Sequence, residues 1–129
     1  TPPLSVAVVI PAKDESARIA ATIRGVRAIP GVRAVVVVDD GSTDGTAAIA
    51  AREGAEVVRL PRNHGKADAM MSGLGRVTGL RRVGRLDEST SVLFVDADGR
   101  VRDGVQISQN SVLIHEHDLC LARTGLACS

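Results

Sequence analysis

The sequence predicts an α/β protein, built as an open, mostly parallel sheet with helices on both faces. Three observations lead there. Four short aliphatic and β-branched runs show no polar alternation, which is how strands buried on both faces read. Segments of helical period alternate with those runs. Each run also closes on polar or conformationally special residues, at the edge where such sheets hold their ligands.

The first run is Val6-Ala-Val-Val-Ile10, closed by Pro11. After the start signal Asp14-Glu15-Ser16, Ile19, Ile23 and Val26 fall at i, i+4 and i+7, and Pro30 closes that helix. The second run, Ala34-Val-Val-Val-Val38, is closed by Asp39-Asp40-Gly41. Ser42-Thr43-Asp44 introduces a second helix over 47–51, with Gly54 as its stop. The third run, Val57-Val-Arg-Leu60, ends at Pro61, and a weaker helix follows over 67–74. The last run, Val92-Leu-Phe-Val95, leads into Asp96-Ala-Asp98. Right-handed crossovers give a Rossmann-like strand order 3-2-1-4, with the first and fourth strands adjacent at the switch point. Residues 1–98 therefore read as one α/β domain. Residues 99–129 read as an atypical tail, with one candidate strand, Val112-Leu-Ile114, and little helical periodicity.

Composition bounds the function. A chain of 129 residues, 44% hydrophobic, is long and apolar enough for one globular core. With one Phe and no Tyr or Trp, that core must be Val, Ile, Leu and Ala, and no aromatic platform exists to stack a base or sugar. A net charge of +1 argues against a nucleic-acid binder, which normally carries a basic excess. The arginines of Gly79-Leu-Arg-Arg-Val-Gly-Arg85 read as a solvated loop. Cys120 and Cys128 form neither a C-x-x-C pair nor a zinc pattern, so a reducing cytoplasm is expected. No stretch approaches the ~20 apolar residues of a membrane span, and no signal peptide is visible. The chain begins at Thr1 rather than Met, so a trimmed N-terminus is expected; an oligomer is neither required nor excluded.

The chemistry gathers at the strand ends. Asp96 and Asp98, one residue apart where a buried strand ends, suit a divalent cation, because unpaired buried carboxylates are costly. Hard oxygen ligands favour magnesium or manganese bridging to phosphates. A plain surface turn is the competing reading of that pair. Asp39-Asp40-Gly41-Ser42-x-Asp44-Gly45-Thr46 adds three carboxylates and a turn at the neighbouring strand end. An Asp there can accept from the imide of uracil or the N–H groups of guanine, and Ser42 can meet a ribose or cap the next helix. A helix cap with a tight glycine turn explains Ser42, Asp44 and Gly45, and the Asp39-Asp40 pair less well. A calcium loop fails, since Ala51 stands where its bidentate Glu belongs. In Arg62-Asn63-His64-Gly65-Lys66-Ala67, the glycine lets backbone approach a phosphate and the lysine supplies a point charge. It is not a P-loop, because Leu60 and Ala67 occupy the required glycine and hydroxyl positions. Gly73-Leu-Gly75 likewise lacks the third glycine of a dinucleotide fingerprint.

Four blocks in order resemble glycosyltransferase family 2: Pro11-Ala12-x-Asp14-Glu15, Val38-Asp39-Asp40-Gly41-Ser42-x-Asp44-x-Thr46, Asn63-x-Gly65-Lys66-x-x-Ala69 and Val95-Asp96-Ala97-Asp98. The resemblance covers residues 5–99 and implies a GT-A fold and a nucleotide-diphosphate sugar donor, UDP- or GDP-linked. It implies that Pro11, Ala12 and Glu15 line the nucleoside pocket and that Asp40 hydrogen-bonds the base. Lys66 would lie near the base or diphosphate, Asp96 would contact ribose or sugar, and Asp98 would ligate Mg2+ or Mn2+. Asp14, Asp39, Ser42 and Gly65 complete the expected binding set. The implied reaction is inverting transfer to an acceptor whose identity the sequence does not state.

Family members continue well past the D-x-D strand into an acceptor-binding half carrying the catalytic base. Here 31 residues follow Asp98, and Glu116 and Asp118 are the only candidate bases among them. His115 and His117 could complete a metal site, but they read more simply as an alternating terminal segment. The expectation is therefore a donor-binding half, shortened by natural truncation, a frameshift or an artificial boundary. The alternative is a non-catalytic nucleotide-binding or interaction module derived from that fold. A sugar nucleotidyltransferase is disfavoured, since Pro11-Ala-Lys-Asp-Glu15 lacks the glycine-rich loop that class needs.

Overall fold

A computed structural model of the chain describes residues 5–97. In chain order they form β1 (Val6–Ala12), α1 (Ile19–Arg27), β2 (Val32–Asp40), α2 (Thr46–Arg52), β3 (Glu56–Leu60), α3 (Lys66–Arg82) and β4 (Ser91–Phe94). The four strands make one sheet of order β3-β2-β1-β4, all neighbours parallel, as the crossover rule predicts.

Side chains alternate between the two faces of the central strands, which explains why the runs lack polar positions. Val6, Val8 and Ile10 of β1 and Val35 and Val37 of β2 pack under Ile19, Ile23 and Val26 of α1 and Ala50 of α2. Ala7 and Val9, with Val36 and Val38, pack under Ala69, Met70, Val77 and Leu80 of α3. Each fully buried Val or Ile contributes about 1.5–3 kcal/mol to this two-sided core. Phe94 of β4 is the one aromatic side chain in this core, on the α3 side of the sheet; the rest is aliphatic among the described residues.

Several boundaries differ from the sequence reading, each for a physical reason. Pro11 does not close β1, which continues to Ala12 opposite Asp39. The β1–β4 ladder ends at Val9↔Phe94, so the N–H that Pro11 lacks would fall beyond the last pair on that side. Asp39 and Asp40 lie inside β2 rather than after it. Helix α1 starts at Ile19, and Asp14-Glu15-Ser16 do not cap it; their backbone serves another purpose, described below.

The largest difference is α3, which runs 17 residues where only 67–74 were expected. Its second half is poor in apolar residues and carries Gly75 and Gly79, so the period is faint. The arginine cluster is consequently not a loop throughout. Gly79 to Arg82 form the last helical turn, Arg81 donates to the Thr90 carbonyl, and Arg85 pairs with Glu56 at 2.7 Å. Gly84, at φ +77°, ends the helix: its N–H bonds the Arg81 carbonyl, and that of Arg85 bonds Leu80. Gly54 ends α2 the same way, with Gly54 N–H to Ala51 and Ala55 N–H to Ala50. Both are Schellman closures.

Close packing of α3 on the sheet falls at Gly73, where a Cβ would overlap Val9 Cγ1 and lie 3.0 Å from Val38 Cγ2. The glycine passed over as an incomplete nucleotide motif is a contact point between helix and sheet. Asp98 and the tail, with Val112-Leu-Ile114, Glu116 and Asp118, lie outside the described residues.

Candidate functional site

Because all four strands run parallel, their carboxyl ends share one edge. Pro11 and Ala12 of β1, Asp39 and Asp40 of β2, Leu60 of β3 and Asp96 just after β4 all lie there. Pro11 and Ala12 are buried, forming a floor rather than exposed walls. Thr22 of α1 donates to the Ala97 carbonyl at 2.6 Å, which ties the segment leaving β4 to the helix beneath it.

The two aspartates of β2 point to opposite faces of the sheet. Asp39 is 1% exposed; its Oδ1 accepts the Ser42 N–H at 3.0 Å. Its Oδ2 has no hydrogen-bond partner, and the nearest cation is Arg59 Nε at 3.8 Å. That distance is too long for a hydrogen bond, and an exposed arginine is well screened, so the second oxygen is left underserved. Asp40 faces α3, and both of its oxygens are engaged: Oδ1 accepts from His64 N at 2.7 Å and Oδ2 from Gly65 N at 3.0 Å. Gly41 makes this meeting of loops feasible. A Cβ there would lie 2.6 Å from the Arg62 carbonyl carbon and the Asn63 nitrogen.

The loop so held launches α3 with Lys66 as its first residue. Lys66 Nζ reaches Asp96 Oδ1 at 2.9 Å, joining the start of α3 to the end of β4. The lysine is half exposed and the aspartate partly so, which leaves the pair open to an incoming anion or cation.

A second cluster bridges the loop after β1 to the loop after β2. Asp14 N–H donates to Ser42 Oγ at 2.9 Å, Glu15 N–H to Thr46 Oγ1 at 3.0 Å, and Ser16 N–H to Asp44 Oδ2 at 3.3 Å. In return Thr43 N–H donates to Asp14 Oδ1 at 2.8 Å. Asp14 adopts φ +52°, a left-handed conformation that Asp tolerates better than most side chains. Thr46, fully buried, donates its hydroxyl to Asp44, and this bond holds the Asp44 carboxyl at a pKa of about 2.

The expected site residues thus fall into two groups. Asp40, Gly65, Lys66 and Asp96 come together in one line across the edge. Asp14 and Ser42 are occupied in the loop bridge, so Ser42 neither caps α2 nor stands free; α2 starts from Gly45, and the N–H of its first residue, Thr46, donates to Asp44 Oδ1 at 3.0 Å. Glu15 turns its carboxylate to Arg18, at 2.9 and 3.0 Å, rather than toward Lys66. Sequence reading gave Thr43 and Arg59 no part in the site. Thr46 sat inside a family block without a role, and only its spacing from Asp44 hinted at one.

The order of the parallel sheet and the acidic, lysine-bearing carboxyl edge define an α/β domain of the GT-A type. The chain belongs to glycosyltransferase family 2, whose family model matches residues 7–109. Curated relatives include an uncharacterized glycosyltransferase of Mycobacterium bovis, 36% identical over 78% of this chain and 39% of its own length. A protein of Methanocaldococcus jannaschii is 34% identical over 72% of this chain and 35% of its own. Among solved structures, mannosyl-3-phosphoglycerate synthase from Rubrobacter xylanophilus is 33% identical with a TM-score of 0.57, over 78% of this chain and 33% of that one. Glucosyl-3-phosphoglycerate synthase from Mycobacterium tuberculosis, solved with Mn2+, UDP and glucosyl-3-phosphoglycerate, is 29% identical with a TM-score of 0.54, over 73% and 33%. The same enzyme has been solved with Mg2+ and UDP. The chain therefore spans roughly a third of the length of these relatives.

Proposed function

We propose that this chain is the donor-binding part of an inverting, metal-dependent glycosyltransferase that takes a UDP- or GDP-linked sugar. The observation that carries the reading is the Lys66–Asp96 pair, which sets a cation and a carboxylate side by side at the switch point of the sheet. Pro11, Ala12, Asp39 and Asp40 supply the floor on the nucleoside side; Gly65, Lys66 and Asp96 supply the diphosphate side. Solved relatives hold UDP with Mn2+ or Mg2+, which supports the same ligand here.

The donor set fits such an ion. Among the described residues no group of three His, Cys, Asp or Glu could cage a metal. Magnesium-type ions do not need one, since one or two carboxylates plus phosphate oxygens and waters suffice. Asp96 is one such carboxylate, and Asp98 is proposed as the second. When bound, the ion would neutralise charge building on the departing diphosphate. Lys66 adds a fixed positive charge to the same oxygens, and the buried strand ends keep the leaving group in place while an acceptor hydroxyl attacks the anomeric carbon. A cytoplasmic setting belongs to this reading through the cysteine pattern alone.

Calorimetry with UDP and GDP, with and without manganese, tests the binding step. Donor-hydrolysis and acceptor-transfer assays on the same sample test the chemistry. Metal-dependent nucleotide binding with little transfer is the expected result for these 129 residues, because proton transfer by a positioned base is worth ~10²–10⁴ in rate and none of the described residues is assigned that role. Binding without any turnover even when the chain is supplied within a longer family member would favour the non-catalytic module. A folded sample that binds no nucleotide with metal would refute the proposal.

A further inference from the structure

The bridge between the first two loops gives Asp14 a part distinct from ligand binding. We infer that Asp14 is a positioning residue, which locks the loop after β1 into the shape that walls the nucleoside side of the donor site. The inference rests on the donor-binding reading above and deepens it, since Asp14 would act on the nucleoside without touching it.

Among the described residues, Asp14 is the only one other than glycine with a positive φ, at +52°. A side chain in the left-handed region costs energy and persists where its surroundings hold it, and such residues gather at ligand clamps and active sites. Here the hold is reciprocal. Asp14 donates its N–H to Ser42 Oγ at 2.9 Å, while its Oδ1 accepts the Thr43 N–H at 2.8 Å and the Thr43 hydroxyl at 3.3 Å. One residue of the first loop thus both gives to and receives from two adjacent residues of the second. Packing does not explain the arrangement. Residues 13–16 and 41–45 contribute nothing to either hydrophobic cluster, and Lys13 and Asp14 are exposed. What the lock fixes is direction. β1 ends at Ala12, paired with Asp39, and two residues later the main chain turns left-handed onto the loop that follows Asp40. That turn stands beside the floor of Pro11 and Ala12, where it closes one side of a pocket for base and ribose. Released from Thr43, the same exposed segment would relax toward extended shapes and leave the pocket without that wall.

The test compares the full chain with its Asp14→Asn, Asp14→Gly and Asp14→Ala variants. Each is titrated with uridine, followed by NMR shifts of the strand-end amides, and with inorganic pyrophosphate plus manganese. Asparagine keeps an acceptor at Oδ1 and tolerates the left-handed region, so uridine should bind within about threefold of wild type. Alanine loses both properties and should weaken uridine by about tenfold, because apparent affinity falls with the fraction of the loop in its competent shape. Glycine reaches φ +52° freely but offers Thr43 no acceptor, so it should fall between the two. Pyrophosphate should bind all four proteins alike. A loss in Asp14→Asn as large as in Asp14→Ala would make the charge itself a ligand and overturn the inference. Equal uridine binding by all four would overturn it too, as would equal losses on both probes, which mark a general structural role. Should Asp14→Ala not fold, Asp14→Gly carries the same comparison. If wild type binds neither probe, the donor-binding reading fails separately, and amide exchange still decides the lock. Protection of the Thr43 N–H that survives in Asp14→Asn and disappears in Asp14→Ala supports it. Rapid exchange of that amide in wild type, or protection unchanged in Asp14→Ala, overturns it.

Discussion

Replacing Gly73 with alanine should destabilise the chain even though the residue lies within a helix, where that exchange normally helps. Alanine gains about 1 kcal/mol over glycine in a helix interior. At Gly73, however, the new Cβ would overlap Val9 Cγ1 and sit 3.0 Å from Val38 Cγ2. Both valines are fully buried in the two central strands and cannot move aside without opening the core. Overpacking of this kind costs typically 1–3 kcal/mol, and contact with two rigid strands puts it at the upper end. The net loss should be about 2 kcal/mol, or a melting temperature lower by roughly 5–10 °C for a domain of this size. Gly75→Ala is the matched control, since nothing lies within 4 Å of its Cβ position. It should gain up to about 1 kcal/mol, leaving the two variants about 3 kcal/mol apart. Urea and thermal denaturation of both proteins measure this directly. Equal stabilisation by both alanines would refute the close approach of α3 to the sheet.

Gly84→Ala should cost about 1–2 kcal/mol through the left-handed φ of +77° alone, because its Cβ would meet nothing within 4 Å; thermal melts would register the loss. Asp44 titrates near 2, below its ordinary value of 3.8, so its stabilising effect is present above about pH 4 and is lost as pH falls toward 2. Asp44→Asn should therefore flatten the decline in stability across that window, measured by denaturation at stepped pH. Asp98→Ala should weaken UDP binding only when manganese or magnesium is present, and equal loss without metal would argue against a ligand role.

Strand order and the two-faced core were legible because they rest on runs such as Val35 to Val38, where every position is apolar whichever way it points. The length of α3 was not, because three of its glycines dilute the helical period and only the sheet beneath shows why Gly73 is there. At the site, residue types at the strand ends were legible, but their partners were not. Ser42 could equally cap a helix, touch a ribose or accept from Asp14, and only the fold brings the Asp14 N–H within its reach. Asp39 and Asp40 look equivalent in sequence. Strand alternation turns one toward α1 and the other toward α3, giving one an underserved oxygen and the other two full bonds.

The bridge between the first two loops has a direction, and that direction bears on how the chain tolerates change. Three of its bonds are donated by the main chain of residues 14–16 to side chains of Ser42, Asp44 and Thr46. A main-chain donor is present whatever the side chain, unless the residue is proline. Substitution at Glu15 or Ser16 should thus leave the bridge whole, and only proline should break it there. Ser42, Asp44 and Thr46 have no such freedom, since each supplies the acceptor itself. A saturation scan should find permissive positions facing intolerant ones across the same gap. Positions 15 and 16 of the first loop could then vary while the second loop keeps the shape of both.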